Sequence, residues 1–214
     1  MKLSLKKKSE IADRVYVTLD RLYPDATCSL DMDDPYFFLI RAILSAQCTD
    51  VRVNRTVNEL KQLVKSPEDV LAMGEERLAE VIKPCGLYKA KAANIIRSTS
   101  IYTNDWGHDI PKDIDMLLSA PGIGKKIGNL LLGELYDIPA LVVDTHFKRV
   151  AHRLGLTDSK EPLKVEEDVC KVLDKSRWNR CGHLFVEFGR NICDARKPKC
   201  DSCPFKDICR EGKP

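Results

Sequence analysis

The feature that most constrains the fold of this chain is Ala120-Pro121-Gly122-Ile123-Gly124-Lys125-Lys126. Ile114, Leu117 and Leu118 precede it at helical spacing, and Ile127, Leu130, Leu131 and Leu135 follow it in the same way. The pattern predicts two short apolar-faced helices joined by a tight hairpin. Gly122 and Gly124 let the backbone take positive φ and approach a partner closely. The second helix is expected to start at Gly124 or Lys125. Its unpaired N–H groups and positive dipole end suit a phosphate, and Lys125 beside it suits a backbone contact that carries no base information. Lys126 is the sharper feature. The positive end of a helix disfavours an ammonium ion, and so does the partial burial expected here; both favour the neutral amine that attacks as a nucleophile. Downstream, Asp144 follows the apolar run 138–143 and precedes Thr145-His146-Phe147, so it reads as an N-cap. Taken alone, the stretch is equally compatible with an ordinary helix turn, a solvated lysine and a cap.

The chain has nine cysteines, an odd number, and no apolar segment follows its charged start MKLSLKKKSE. That argues against a secreted disulfide framework. Cys28, Cys48, Cys85, Cys170 and Cys181 are scattered and read as small buried hydrophobes. The other four form the run Cys193-x6-Cys200-x2-Cys203-x5-Cys209. Structural zinc usually takes two close cysteine pairs separated by a longer finger, and here only one gap is that short. The spacing favours a [4Fe–4S] cluster and leaves zinc open. Arg196, Lys197 and Lys199 lie in the first gap. Cations on a loop pinned at both ends meet phosphates at little ordering cost, although they also suit a merely soluble loop.

Helical periodicity recurs over 9–23, 36–46, 51–64, 67–73, 75–83, 88–102, 145–154, 162–174 and 178–190. Asp34-Pro35 and Ser66-Pro67 mark helix starts, and Asp50 is a candidate cap. Residues 36–46 are apolar nearly all round, which implies a central buried helix. Lys6-Lys7-Lys8 read as a solvated, frayed start. No convincing strand is found, so the fold class is all-α. With 43% hydrophobic and 31% charged residues the composition is that of a soluble globular chain. No apolar run reaches the length of a membrane span. A formal net charge of +3 is too small to argue for nucleic acid without local charge.

The hairpin PGIGKK, followed by IPALVVDTHFKR, resembles the helix-hairpin-helix DNA glycosylases, and most closely the endonuclease III family. Ile43–Gln47, Gly86-Leu87-Tyr88-Lys89-Ala90-Lys91-Ala92 and the C-terminal cysteines extend the resemblance over most of the chain. It implies two helical domains with a cleft between them: 28–138 carrying the hairpin, and 1–27 plus 139–214 carrying the cluster. It implies that Lys126 is the nucleophile, that Asp144 assists it, and that Cys193, Cys200, Cys203 and Cys209 hold a [4Fe–4S] cluster. Gln47 and Leu87 stand where family residues insert into the duplex. Gly122, Gly124, Lys125, His146, Arg196, Lys197 and Lys199 are the other expected DNA contacts. The implied activity is a bifunctional DNA glycosylase and lyase acting on double-stranded DNA with a damaged base or abasic site. The protein is expected to be a cytoplasmic, nucleoid-associated monomer.

Lys126 favours the branch that removes oxidised pyrimidines, because relatives that excise adenine, thymine or uracil from mispairs lack this lysine. Ile127-Gly128 depart from the family's usual Thr-Ala, however, and Leu118 stands where the family has an acidic residue. A uracil- or mismatch-directed glycosylase therefore stays open, as does a non-catalytic DNA-binding iron–sulfur module. A cluster-based electron carrier would have no need of the hairpin.

Overall fold

The computed structural model describes residues 3–211. Among these the regular structure is helical throughout. In chain order the helices are α1 (Leu5–Leu22), α2 (Pro35–Leu44), α3 (Asp50–Leu63), α4 (Pro67–Val81), α5 (Tyr88–Asn104), α6 (Ile114–Ser119), α7 (Lys125–Tyr136), α8 (Thr145–Arg153), α9 (Pro162–Cys170) and α10 (Trp178–Asn191). Short 3-10 turns cover Lys83–Cys85, Lys175–Arg177 and Cys200–Ser202. The chain divides into two compact units, one of Cys28–Tyr136 and one of Met1–Thr27 with Asp137–Pro214.

In the Cys28–Tyr136 unit, α2 is the buried centre, with Tyr36 through Leu44 all inside. Its start follows from chemistry. Asp34 Oδ1 accepts the Phe37 N–H at 2.9 Å, and Pro35 takes a first-turn place where no N–H is required. Arg41 goes inside with the apolar residues and is 0% exposed. A charge so placed needs partners. Its guanidinium donates to Asp33 at 2.7 Å and Asn58 at 2.9 Å, and Asp31 lies 3.7 Å away. The α4 segment opens with a reciprocal capping box between Ser66 and Asp69 and breaks at Gly74, where φ is +76°.

The hairpin joins α6 to α7 and is held against α5. The buried Ser98 hydroxyl donates to Pro121 O at 2.5 Å. Gly122 has φ +84°, and a Cβ there would lie 3.0 Å from Asn94 Cβ. Glycine is thus required twice at this point, by its dihedral and by the closeness of α5. One turn into α7, a Cβ on Gly128 would lie 2.6 Å from Ile114 Cδ1. The missing methyl is what lets the two hairpin helices pack with an isoleucine between them.

The other unit packs α1, α8, α9 and α10 around Phe147, Phe185, Phe188 and Phe205. Phe147 and Phe185 stack at 4.5 Å, and Phe188 meets Phe205 edge-on at 5.3 Å.

Three local expectations change. The start of α1 is ordered and includes Lys6-Lys7-Lys8: Ser4 caps it, Lys7 pairs with Glu10 at 3.1 Å, and Lys8 donates to Leu156 O at 3.1 Å. Asp50 is the first residue of α3, and Thr49 occupies the cap position. α9 stops at Cys170, because Val172 and Leu173 turn back into the core with their N–H groups on Val169 O.

Gly128→Ala is expected to cost about 1–3 kcal/mol in denaturant unfolding by overpacking, and adding Ile114→Val, which deletes the obstructing Cδ1, should recover most of that loss. A second expectation concerns acid. Burial acts to raise the Asp33 carboxyl, but hydrogen bonds and charge from Lys61 and Arg41 outweigh it and hold the group below the ordinary carboxylate range. A depressed carboxyl stabilises the fold above its unfolded value of about 3.9 and loses that contribution as pH falls through the lower folded value. Stability should therefore fall below about pH 4, and Asp33→Asn should flatten that limb of the pH–stability curve while lowering stability at neutral pH by about 0.5–1.5 kcal/mol, since solvent screens the exposed carboxylate.

Candidate functional site

Lys126 is the second residue of α7, one turn past the anchored hairpin, and its side chain is exposed. The partial burial expected from sequence is therefore absent. What remains is its place at the positive end of the helix. Lys125 is half-buried, and Gly124 is exposed with open space around it. The charge of Lys126 is felt by the Cys28 thiol, which burial pushes up to about 12 and which the lysine acts to lower. In the other unit, Asp144 caps α8 as its position in the sequence indicates: it is half-buried, and Oδ1 accepts the Phe147 N–H at 2.7 Å. His146, one residue into α8, is half-buried with Nδ1 3.2 Å from Arg149 Nη2.

Gln47 and Leu87 share an unusual geometry. Both are exposed, Leu87 to 60%, and both are left-handed, with φ +52° and +48°. A non-glycine residue in that region is strained by roughly 1–2 kcal/mol. Leu87 is not buried, and Gln47 is not a helix cap, because α2 ends at Leu44 with Ser45 in the cap position. Both loops leave one anchor that sequence reasoning missed. Lys91, 4% exposed, donates from Nζ to Leu44 O and to Cys85 O, each at 2.9 Å. Burial pushes its ammonium down, and the Cys48 and Cys85 side chains act the other way. Nothing in the local pattern of α5 distinguishes this lysine from a solvated one.

Of the three departures flagged in the hairpin helices, Ile127 and Gly128 are buried. Only Leu118 is substantially exposed, at 38%.

Cys193, Cys200, Cys203 and Cys209 line one apolar cavity of about 100 Å³. Among the described residues, no three Cys, His, Asp or Glu side chains are grouped to hold a single metal ion. Four cysteines that line one apolar cavity suit a polynuclear cluster. α8 buttresses the loop with two arginines one turn apart. Arg149 Nε donates to Cys193 O at 3.0 Å; Arg153 Nη1 lies 3.4 Å from Cys193 Sγ and 2.8 Å from Asp194 O. Asp194 Oδ1 accepts the N–H groups of Arg196 and Lys197 at 2.8 and 2.9 Å, and Lys199 N–H donates to Ile192 O. The loop backbone is thus tied down while the Arg196, Lys197 and Lys199 side chains remain exposed. The two arginines went unnoticed in the sequence; their i, i+4 spacing on a helix before the cysteine run was the available signal.

A glycine hairpin between two short helices, in an all-helical chain that ends in a four-cysteine loop, defines a helix-hairpin-helix base-excision protein. Residues 40–175 match the HhH-GPD superfamily base excision DNA repair protein, and residues 193–209 match the iron–sulfur binding domain of endonuclease III. Endonuclease III of Bacillus subtilis (strain 168) is 39% identical over 90% of this chain and 88% of its own length. That of Escherichia coli (strain K12) is 37% identical over 87% of this chain and 88% of its own. Among solved structures, a non-covalent endonuclease III–DNA complex and a trapped endonuclease III–DNA covalent intermediate each superpose with a TM-score of 0.91. Each is 34% identical and covers 98% of this chain and 97% of the solved one. A thermostable thymine-DNA glycosylase superposes with a TM-score of 0.81 at 25% identity, covering 97% of both chains. The chain belongs to the endonuclease III family. It is a base-excision repair enzyme, a DNA glycosylase and apurinic or apyrimidinic site lyase, with a [4Fe–4S] cluster and DNA as its partner. No described helix is long and apolar enough to cross a membrane.

Arg153→Met removes the contact with the Cys193 sulfur and the bonds to the loop carbonyls. Loss of iron under chelator challenge is expected to be about 10–100-fold easier than in the parent, the usual effect of deleting an outer partner of a metal ligand.

Proposed function

We propose that the enzyme excises oxidised pyrimidines through a Schiff base on Lys126. The observation that carries the proposal is the exposed Lys126 amine in the first turn of α7, directly after a hairpin locked to α5 by Gly122 and Ser98. The amine is open to solvent in the free protein, and bound DNA covers it. The target nucleotide leaves the stack because its C1′ is otherwise out of reach. Leu87 wedges the stack and Gln47 pairs with the widowed base; their exposure and strained backbones support these roles. Lys126 attacks C1′ with its amine lone pair, the C1′–N bond breaks, and the base departs with a proton. Asp144 takes the amine proton or stabilises cationic character on the sugar. The C1′–O4′ bond then opens as the nitrogen lone pair forms C=N and O4′ takes a proton; the resulting iminium acidifies C2′–H, and loss of that proton expels the 3′ phosphate and cuts the strand. Water then releases Lys126.

Cys193, Cys200, Cys203 and Cys209 hold the cluster, whose role is to shape the loop carrying Arg196, Lys197 and Lys199. These three cations, with Lys125 and the N–H groups at Gly122 and Gly124, bind phosphates. Because Ile127 and Gly128 belong to the packing of α7, the family departure that bears on base choice narrows to Leu118. The enzyme acts as a monomer on double-stranded DNA.

Borohydride trapping tests this on duplexes carrying thymine glycol, uracil, a mismatched thymine or an abasic site. A covalent adduct on thymine glycol is expected with the parent enzyme and none with Lys126→Ala, whose strand cleavage should fall at least about 1,000-fold, as when a nucleophile is lost. An adduct confined to uracil or mismatched thymine would replace the lesion class, and DNA binding with no adduct on any duplex would overturn the mechanism.

A further inference from the structure

Five of the cysteines lie outside the four-cysteine loop, and two of them meet. Cys48 follows Gln47 directly and is half-buried; Cys85, 1% exposed, closes the turn Lys83–Cys85 two residues before Leu87. The Cys85 side chain lies close enough to interact with the Cys48 side chain and with buried Thr56. Both cysteines are free thiols. The backbones that carry them are held together independently of the sulfurs, since Lys91 Nζ binds both Leu44 O and Cys85 O at 2.9 Å. The same ammonium lies close enough to both sulfurs to interact with each; burial holds the Cys85 thiol up, and Lys91 acts against that rise.

We propose that Cys48 and Cys85 are a redox-responsive dithiol that closes to a disulfide between the loop carrying Gln47 and the loop carrying Leu87. Their unequal exposure assigns the roles. Cys48 is the residue an oxidant reaches, and Cys85 is the shielded resolving thiol. The oxidant is a hydroperoxide. The Cys48 thiolate attacks the terminal peroxide oxygen and the O–O bond breaks. This gives a Cys48 sulfenic acid and an alcohol, or water from hydrogen peroxide. The Cys85 thiolate then attacks the Cys48 sulfur; an S–S bond forms, and hydroxide leaves and is protonated to water by the proton Cys85 gave up. Two thiols lose two electrons and two protons, and the peroxide is reduced by the same two electrons. The bond would lock the two left-handed loops in their DNA-free arrangement. This consequence rests on the insertion roles proposed above for Gln47 and Leu87; the dithiol itself does not.

The test uses the cluster-loaded full chain and hydrogen peroxide, at a dose that leaves the visible absorbance of the cluster unchanged. Remaining thiols are alkylated, and the protein is digested without reduction for mass spectrometry. The expected product is a Cys48–Cys85 linked peptide, two hydrogens lighter than its parts, reversed by a thiol reductant and absent from Cys48→Ser and from Cys85→Ser. Recovery of Cys85 as an alkylated thiol after peroxide, with Cys48 alkylated or over-oxidised, would overturn the proposal. Binding to a duplex with a non-cleavable abasic analogue reads the consequence. Oxidised parent enzyme should bind about tenfold more weakly than reduced, as when the competent loop arrangement is only a tenth populated, and Cys48→Ser should not respond to peroxide. A linked peptide with unchanged binding would overturn the loop-locking step and the insertion roles, and leave the dithiol standing.

Discussion

The placement of α7 depends on the contact between Gly122 and Asn94. The hairpin has one way to reach α5 so closely, with no side chain at residue 122 and the backbone in the left-handed region. Ser98, buried on the same face of α5, then binds Pro121 O and sets the hairpin's register. From that point α7 must begin at Lys125, so Lys126 always falls in its first turn. A helix dipole acts within that turn and little beyond it. The chemistry of one lysine is therefore tied to a packing contact several residues upstream.

Two buried cations do comparable work elsewhere in the Cys28–Tyr136 unit. Arg41 joins α2 to the acidic segment before it and to α3, through Asp33 and Asn58. Lys91 joins the end of α2 to the turn before α5. Each is a buried charge that would be costly to leave unpaired, and its hydrogen bonds hold a loop in place. A firm base of this kind lets Gln47 and Leu87 persist in strained conformations at the surface, because the surrounding structure determines the backbone there.

The cysteine loop is organised from outside itself. Arg149 and Arg153 reach it from one face of α8, and Asp194 turns its first residues through two backbone N–H bonds. Phe205 closes the underside against Phe188. A loop with little regular structure is thereby shaped by hydrogen bonds and one aromatic contact, and its exposed cations are presented on a fixed backbone.

The all-helical class, the hairpin, the caps at Asp34, Ser66 and Asp144, and the grouping of four cysteines were all legible in the sequence. Each is a local matter of periodicity, capping chemistry or spacing within a few residues. The exposure of Lys126, the burial of Arg41 and Lys91, the arginines beneath the cysteine loop and the meeting of Cys48 with Cys85 were not legible. A lysine on a helix looks the same in sequence whether it faces water or two carbonyls, and two cysteines 37 positions apart carry no sign of contact. Such properties depend on which elements pack together, and side-chain burial and long-range hydrogen bonds exist only once that packing is set. Sequence by itself determined the helices and the chemical types available to this protein; only the tertiary structure decided which of those groups meet water and which meet one another.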